Sequence, residues 1–510
     1  MYTVYKLRID MKDVKINKAK RRLLAVLAVG FLLLGACKKE EWLSPEPSTL
    51  ITDETAFATP ERIANQVNGL YAKFKADRFW GSWYLIASDI RAGDFLCTNL
   101  NAATGAITYQ MLTQTTTGDV TDIWQYGYLA INTCNVFIDG MDTKGKEVLT
   151  EAEAQQYIAE ARLLRAVAYY SLLQLYARPF WDGGGSKPGL PIRLNGNTTP
   201  GNYDLARSSV QETYEQIIAD LDFAEANLPA SYSSAFLNTT RAHRNTAIAL
   251  KTRVYLSMQA YEQVINEANK IVSLSAPFSA TDGVQHALEA DIQNVFKAPY
   301  TTNESIFSMP FTNNDAPGQS LARYYLPGTT DGGTSASNGA GEYSLKPDGV
   351  ISSASWKDND ARRAFIKQGP RSGKYWLFKF TQASPYTDYA PVIRYAEVLL
   401  NLSEALARNS QTVDERSLAL LNAVRQRSDP STNFTAVDFP DMQAFLAAIT
   451  EERQIEFLGE GIRNADIMRL GLTVPAKTQH AVPAVAPDAQ NYIFPISSDE
   501  LILNKLMENN

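Results

Sequence analysis

The chain has 510 residues, with 48 Lys and Arg against 55 Asp and Glu, a formal net charge of −7, three histidines and three cysteines. An acidic balance excludes a nucleic-acid binder, because affinity for phosphate backbones rests on clustered Lys and Arg displacing counterions. Three cysteines exclude a disulfide framework, and the length is ample for a large apolar core.

Lys12, Lys15, Lys18, Lys20, Arg21 and Arg22 precede an unbroken apolar run from Leu23 to Ala36. That run is shorter than the roughly 20 residues a membrane-spanning helix needs. A basic flank, a short apolar stretch and small residues before a cut read as a secretory leader. Leu34-Gly35-Ala36-Cys37 resembles the bacterial lipobox, in which the thiol is acylated and cleavage makes it the new N-terminus. Several acyl chains on Cys37 give stable anchoring where one would not. A cleaved soluble leader and a short buried helix are the competing readings. Residues 1–36 are thus expected to be leader, with Met11 an alternative start, and 37–50 a lipid-anchored linker ahead of a single domain over 51–510. Lys38-Lys39-Glu40-Glu41 resembles the charged tag that sends some Gram-negative lipoproteins to the cell surface. Without its leader the chain carries a charge near −13.

Further along, a 3.6-residue apolar period recurs. In "AEARLLRAVAYYSLLQLYA", Ala161, Leu164, Ala168, Leu172 and Leu175 form one stripe. Ser209 is placed to cap a helix that stops before Pro229. "NTAIALKTRVYLSMQAYEQVINEANKIV" predicts two helices, "YAPVIRYAEVLLNLSEALARN" and "RSLALLNAVRQRS" another pair, and "DMQAFLAAITEERQIEFLGEG" one more. Paired helices of this size predict a mainly α fold, a tetratricopeptide-like α/α superhelix over about 54–76, 122–177, 208–275 and 390–470. Between them, about 77–120, 178–207 and 299–385 are insertions with Gly, Pro and aromatics, where loops and a few short strands are expected.

Catalytic and metal motifs are missing. His243, His286 and His480 show no metal-ligand spacing, and there is no G-x-S-x-G elbow or phosphate-binding Gly loop. Glu451, Glu452 and Glu456 imitate the paired carboxylates of a glycosidase, but "EERQIEF" reads better as a helix with charge pairs on its surface. Asp358-Asn359-Asp360 lacks the glycine and closing glutamate of a calcium loop, and a solvated loop is expected there. No catalytic residue, metal-ligand set or cofactor is expected, a structural calcium ion being left open.

The segments in this order resemble the SusD/RagB family of outer-membrane nutrient-binding lipoproteins. "ETAFATPERIANQVNGLYAKF", "DIWQYGYLAINTCNVFIDGM" and "IAEARLLRAVAYYSLLQLYARPF" are similar to its first three helices. The closing part is the most specific: "VIRYAEVLLNLSEALAR", "LNAVRQR", "ITEERQIEFLGEGIRNADIMRL" and "NYIFPISSDELILNKLMENN". Two departures are Asn464-Ala465, where many members carry an aromatic, and His243 to Asn245, where a Lys-Gly pair is common. The resemblance implies a non-catalytic binder of glycan, or sometimes peptide, at the outer membrane. It implies a SusC-like TonB-dependent transporter barrel as partner, to which the bound ligand is delivered.

Sugars present apolar C–H faces ringed by hydroxyls, so their binders need flat aromatic surfaces beside planar hydrogen-bonding groups. "DRFWGSWYLIASD" supplies Arg78, Trp80, Trp83 and Tyr84, with Asp94 and Asn99 nearby. A second patch is Tyr324, Tyr325, Tyr343 and Trp356. Core packing is the competing account for Trp83 and Tyr84, since Leu85 and Ile86 continue an apolar run. Trp376 and Phe378 are expected to line a strand. A surface hydrolase, a peptide binder and a protein scaffold remain as other readings of the chain.

Overall fold

The computed structural model describes residues 17–19, 53–318, 321–331, 339–382 and 384–510, so Cys37, the linker and all of the leader except 17–19 lie outside the described residues. Residues 56–510 form one compact unit. Among the described residues, its helices of seven or more residues run in the order α1 (Pro60–Phe74), α2 (Trp83–Ala92), α3 (Gly118–Thr143), α4 (Glu151–Tyr176), α5 (Val210–Asn227), α6 (Arg244–Ser257), α7 (Tyr261–Ala268), α8 (Tyr395–Ser410), α9 (Glu415–Ser428), α10 (Met442–Glu456) and α11 (Arg463–Arg469). From α3 to α9 each helix packs on its successor in the chain; the α7–α8 contact spans the longest insertion. This successive stacking is the mainly α superhelix that the apolar period predicts.

Side-chain caps fix where the helices begin. Thr150 and Ser209 each accept a hydrogen bond from the backbone of a glutamate three residues on, and that glutamate bonds back to the cap. Asp414 and Asp441 cap α9 and α10 in the same sense. Helix α4 lies at the centre: its stripe Ala161, Leu164, Ala168, Leu172 and Leu175 is buried, and so are most of its other residues. Arg165 on α4 meets Asp220 on α5 through two bonds of 2.7 and 2.8 Å, a paired fork that sets their register.

Among the described residues, six short strands complete the fold: β1 (Phe95–Cys97), β2 (Ser305–Met309), β3 (Tyr343–Leu345), β4 (Ile366–Gln368), β5 (Tyr375–Leu377) and β6 (Ala390–Arg394). They form one antiparallel sheet in the order β1-β3-β5-β4 and a separate β2-β6 pair. Trp376 lies in β5 as expected, its indole donating to Asp331 at 2.8 Å. Two segments depart from expectation. The stretch 83–92 folds as helix α2 rather than loop or strand, and "APVIR", read from sequence as helical, is strand β6. Pro391 and the β-branched pair Val392-Ile393 explain the second, because they resist helix and suit a buried strand.

The glutamates of "EERQIEF" are also placed differently from expectation. Glu452 and Glu456 are fully buried, not on a solvated face. Glu456 accepts from Arg362 at 2.9 Å, Arg394 at 3.0 Å and Arg427 at 2.6 Å, while Glu452 accepts from Arg362 at 2.6 Å and forms an ion pair with Arg425 at 2.5 Å. Asp360 joins Arg362 in the same lattice at 2.7 Å, so it too is buried structure rather than solvated loop. Beside it, Asp466 pairs with Arg453 and Arg469 at 2.9 and 2.8 Å. This lattice ties α9, α10 and β6 to the long insertion. The backbone turns out of it at Gly461, whose φ of +73° and contact with Leu85 leave no room for a Cβ. The departures at 243 and 464 are interior positions as well: His243 stacks on His286 at 5.2 Å, and Asn464 is buried.

Candidate functional site

Pairing of β1 with β3 carries the two aromatic stretches singled out in the sequence onto one region. Phe95 stands opposite Leu345 and Cys97 opposite Tyr343. Tyr324 meets Trp83 edge-on at 5.2 Å and lies 6.5 Å from Tyr343. The Arg78 guanidinium sits 5.6 Å from the centre of the Trp83 ring. Arg78 and Trp83 thus form one cluster with Tyr324 and Tyr343, which stand far along the chain from them.

The three rings are buried, so they act as a floor and not as stacking faces. Polar groups border them. Arg78 reaches Asp122 at 3.5 Å, both side chains being about one-third exposed. The Thr104 hydroxyl donates to the Glu342 carboxylate at 3.2 Å, and the Thr98 N–H donates to the Glu342 carbonyl at 2.7 Å. Asn99 is exposed at this edge. Burial pushes the Asp77 and Asp122 carboxyls up, with Arg78 opposing it. Burial pushes Asp119, bonded to Thr108, up to about 6. Two donors at the cluster, Trp83 Nε1 and Arg323 Nε, are buried and find no acceptor among the described residues. A guanidinium, carboxylates, an amide and hydroxyls side by side offer both donors and acceptors to a polyhydroxylated ligand.

The other sequence candidates fall elsewhere, in the packing role. Trp80 stacks on Phe74 at 5.8 Å, touches Tyr84 at 4.9 Å, and donates from Nε1 to Ser171 at 2.9 Å. Asp94 accepts from Gln454 at 2.6 Å, and the Tyr325 hydroxyl donates to Asp89 at 2.7 Å. Trp356 is buried with Arg363 over its ring at 4.5 Å, at the wall of a groove of about 740 Å³ that Tyr375 and Lys357 also line. Burial of Trp80, Tyr84, Tyr325 and Trp356 leaves no ring face for a ligand, because large apolar rings beside apolar runs gain more from the core than from solvent. Asp122, Thr104 and Glu342 were missed from sequence, since nothing in their local pattern ties them to Arg78.

Comparison with known proteins places this architecture. The family described as "Starch-binding associating with outer membrane" matches residues 41–256, and the SusD family matches residues 278–510. A SusD superfamily protein from Bacteroides fragilis, of known crystal structure, is 31% identical over 89% of this chain and 99% of its own, with a TM-score of 0.77. The chain belongs to the SusD/RagB family. A SusD-like protein of Formosa agariphila is 26% identical over 92% of this chain and 95% of its own length. The surface glycan-binding protein A from Bacteroides thetaiotaomicron, solved in complex with laminarihexaose, shares the fold at 18% identity and a TM-score of 0.68, over 88% of this chain and 98% of its own. Family description associates such SusD-like chains with the outer membrane.

Proposed function

We propose that this SusD-like chain is a lipid-anchored, cell-surface protein that captures a glycan and delivers it, uncleaved, to a SusC-like TonB-dependent transporter barrel. The observation that carries the reading is the convergence of two insertions on the polar border formed by Arg78, Asn99, Thr104, Asp122 and Glu342. The laminarihexaose complex of the Bacteroides thetaiotaomicron relative supports the ligand class. Non-catalytic capture is supported by Glu452 and Glu456, whose carboxylates are held between guanidinium groups in the interior, out of reach of a glycosidic oxygen.

Replacing Arg78 with alanine is expected to weaken retention of the glycan by about 1.5–3 kcal/mol, tenfold or more, since it removes charge-assisted hydrogen bonds. Affinity electrophoresis at matched melting temperature checks this, and undiminished affinity removes Arg78 from the site. The anchor has its own test. Cys37→Ala is expected to leave the chain with its leader attached and without incorporated labelled palmitate. A variant still acylated and membrane-bound contradicts the lipobox reading.

A further inference from the structure

We propose that the cleft around Trp181 is a second saccharide-binding site, sharing no residue with the border at Arg78. The proposal rests on the glycan-capture reading above and extends it to a separate part of the surface.

Trp181 differs from every other described tryptophan. Its exposure is 36%, while the remaining five are at 3% or below. The ring is nonetheless fixed in place. Nε1 donates to the Met468 carbonyl at 2.8 Å, and Gly471 lies against the indole so closely that a Cβ there would stand 3.2 Å from Cζ2. One side of the indole is thus held against the protein while part of the ring stays open to solvent. A pre-positioned flat ring binds a sugar's C–H face with little loss of side-chain freedom.

The surroundings supply the remaining chemistry. The cleft holds about 620 Å³, within the range of small-ligand sites. Its guanidinium groups are rigid walls: Arg178 is committed to Asp182 at 2.6 Å, and Arg207 to the carbonyls of Gly189 and Pro188 at 2.8 and 3.0 Å. Lys187 and Asp488, also lining the cleft, have side chains without an ion pair or hydrogen bond among the described residues. One ammonium and one carboxylate, both uncommitted, bond ring hydroxyls without selecting for ligand charge. A single open aromatic with charges at its edge suits one sugar ring better than an extended proline-rich peptide, which uses a groove lined by several aromatics.

The test uses the full chain in detergent, titrated separately with laminarihexaose, maltohexaose and xylohexaose, reading stoichiometry by calorimetry and the fluorescence of the exposed indole. At least one of these oligosaccharides is expected to bind at two sites and change tryptophan emission. Trp181→Ala should abolish the emission change and one site, lowering its affinity about tenfold or more; Trp181→Phe should retain part of it. Arg78→Ala should leave the emission change intact. Oligosaccharide binding with unaltered stoichiometry and emission response in Trp181→Ala overturns this inference and leaves the capture reading standing. Binding confined to the Trp181 cleft upholds the inference and removes the Arg78 border. Failure of all three to bind the unaltered chain, or emission change only with a proline-rich peptide, overturns the inference.

Discussion

Glu456→Ala is expected to remove about 3–5 kcal/mol of stability, because it leaves three guanidinium groups buried beside an empty site. Arg362, Arg394 and Arg427 all converge on this carboxylate at 3.0 Å or less. Burial alone would push the Glu456 carboxyl up, but Arg427, Arg394 and Arg362 outweigh it and hold it well below the usual range. Asp466 follows the same pattern. Its burial is outweighed by Arg453 and Arg469, which bring it down to about 2. Both carboxyls are depressed on folding, so their contribution is fully present above the ordinary carboxylate range of about 4 and is lost as pH falls toward 2. Urea denaturation of native chain and variant at neutral pH measures the loss. A change below about 1 kcal/mol, the range of an exposed pair, contradicts an interior lattice.

Trp80→Ala is expected to cost about 3–5 kcal/mol, the usual range for deleting a large buried ring. The indole packs between Phe74 and Tyr84, and its N–H has a partner in Ser171. Trp80→Phe keeps most of the volume and is expected to lose less. The folded fraction of either variant should bind glycan with unchanged affinity. Weakened ligand retention at unchanged thermal stability would return Trp80 to the binding surface and contradict its place in the core.

The helical frame was legible because its signals are local. Ser209, the α4 stripe and the run from 442 to 456 each state a helix within a few turns of chain. Strand β6 was not, since "APVIR" owes its state to pairing with β2, which stands more than eighty residues earlier in the chain. The aromatic clusters were legible as a type but not by exposure. A tryptophan beside an apolar run reads alike whether it faces solvent or Phe74, and only the packing of α1 and α4 decides for Trp80. Asn99 stands beside Glu342 because β1 pairs with β3, a contact across the long insertion that no local pattern announces. The acidic repeats of α10 misled in the same way. Charge pairs three and four apart suit a solvated helix, yet here their partners come from Arg362, Arg394, Arg425 and Arg427 on other elements.

The most direct test of glycan capture is calorimetry of the full chain in detergent against a panel of plant, microbial and host polysaccharides, followed by sizing of each recovered polymer. The account predicts selective binding of one polysaccharide class, with polymer length unchanged. A shortened polymer, or retention of peptides with no polysaccharide bound, would contradict it.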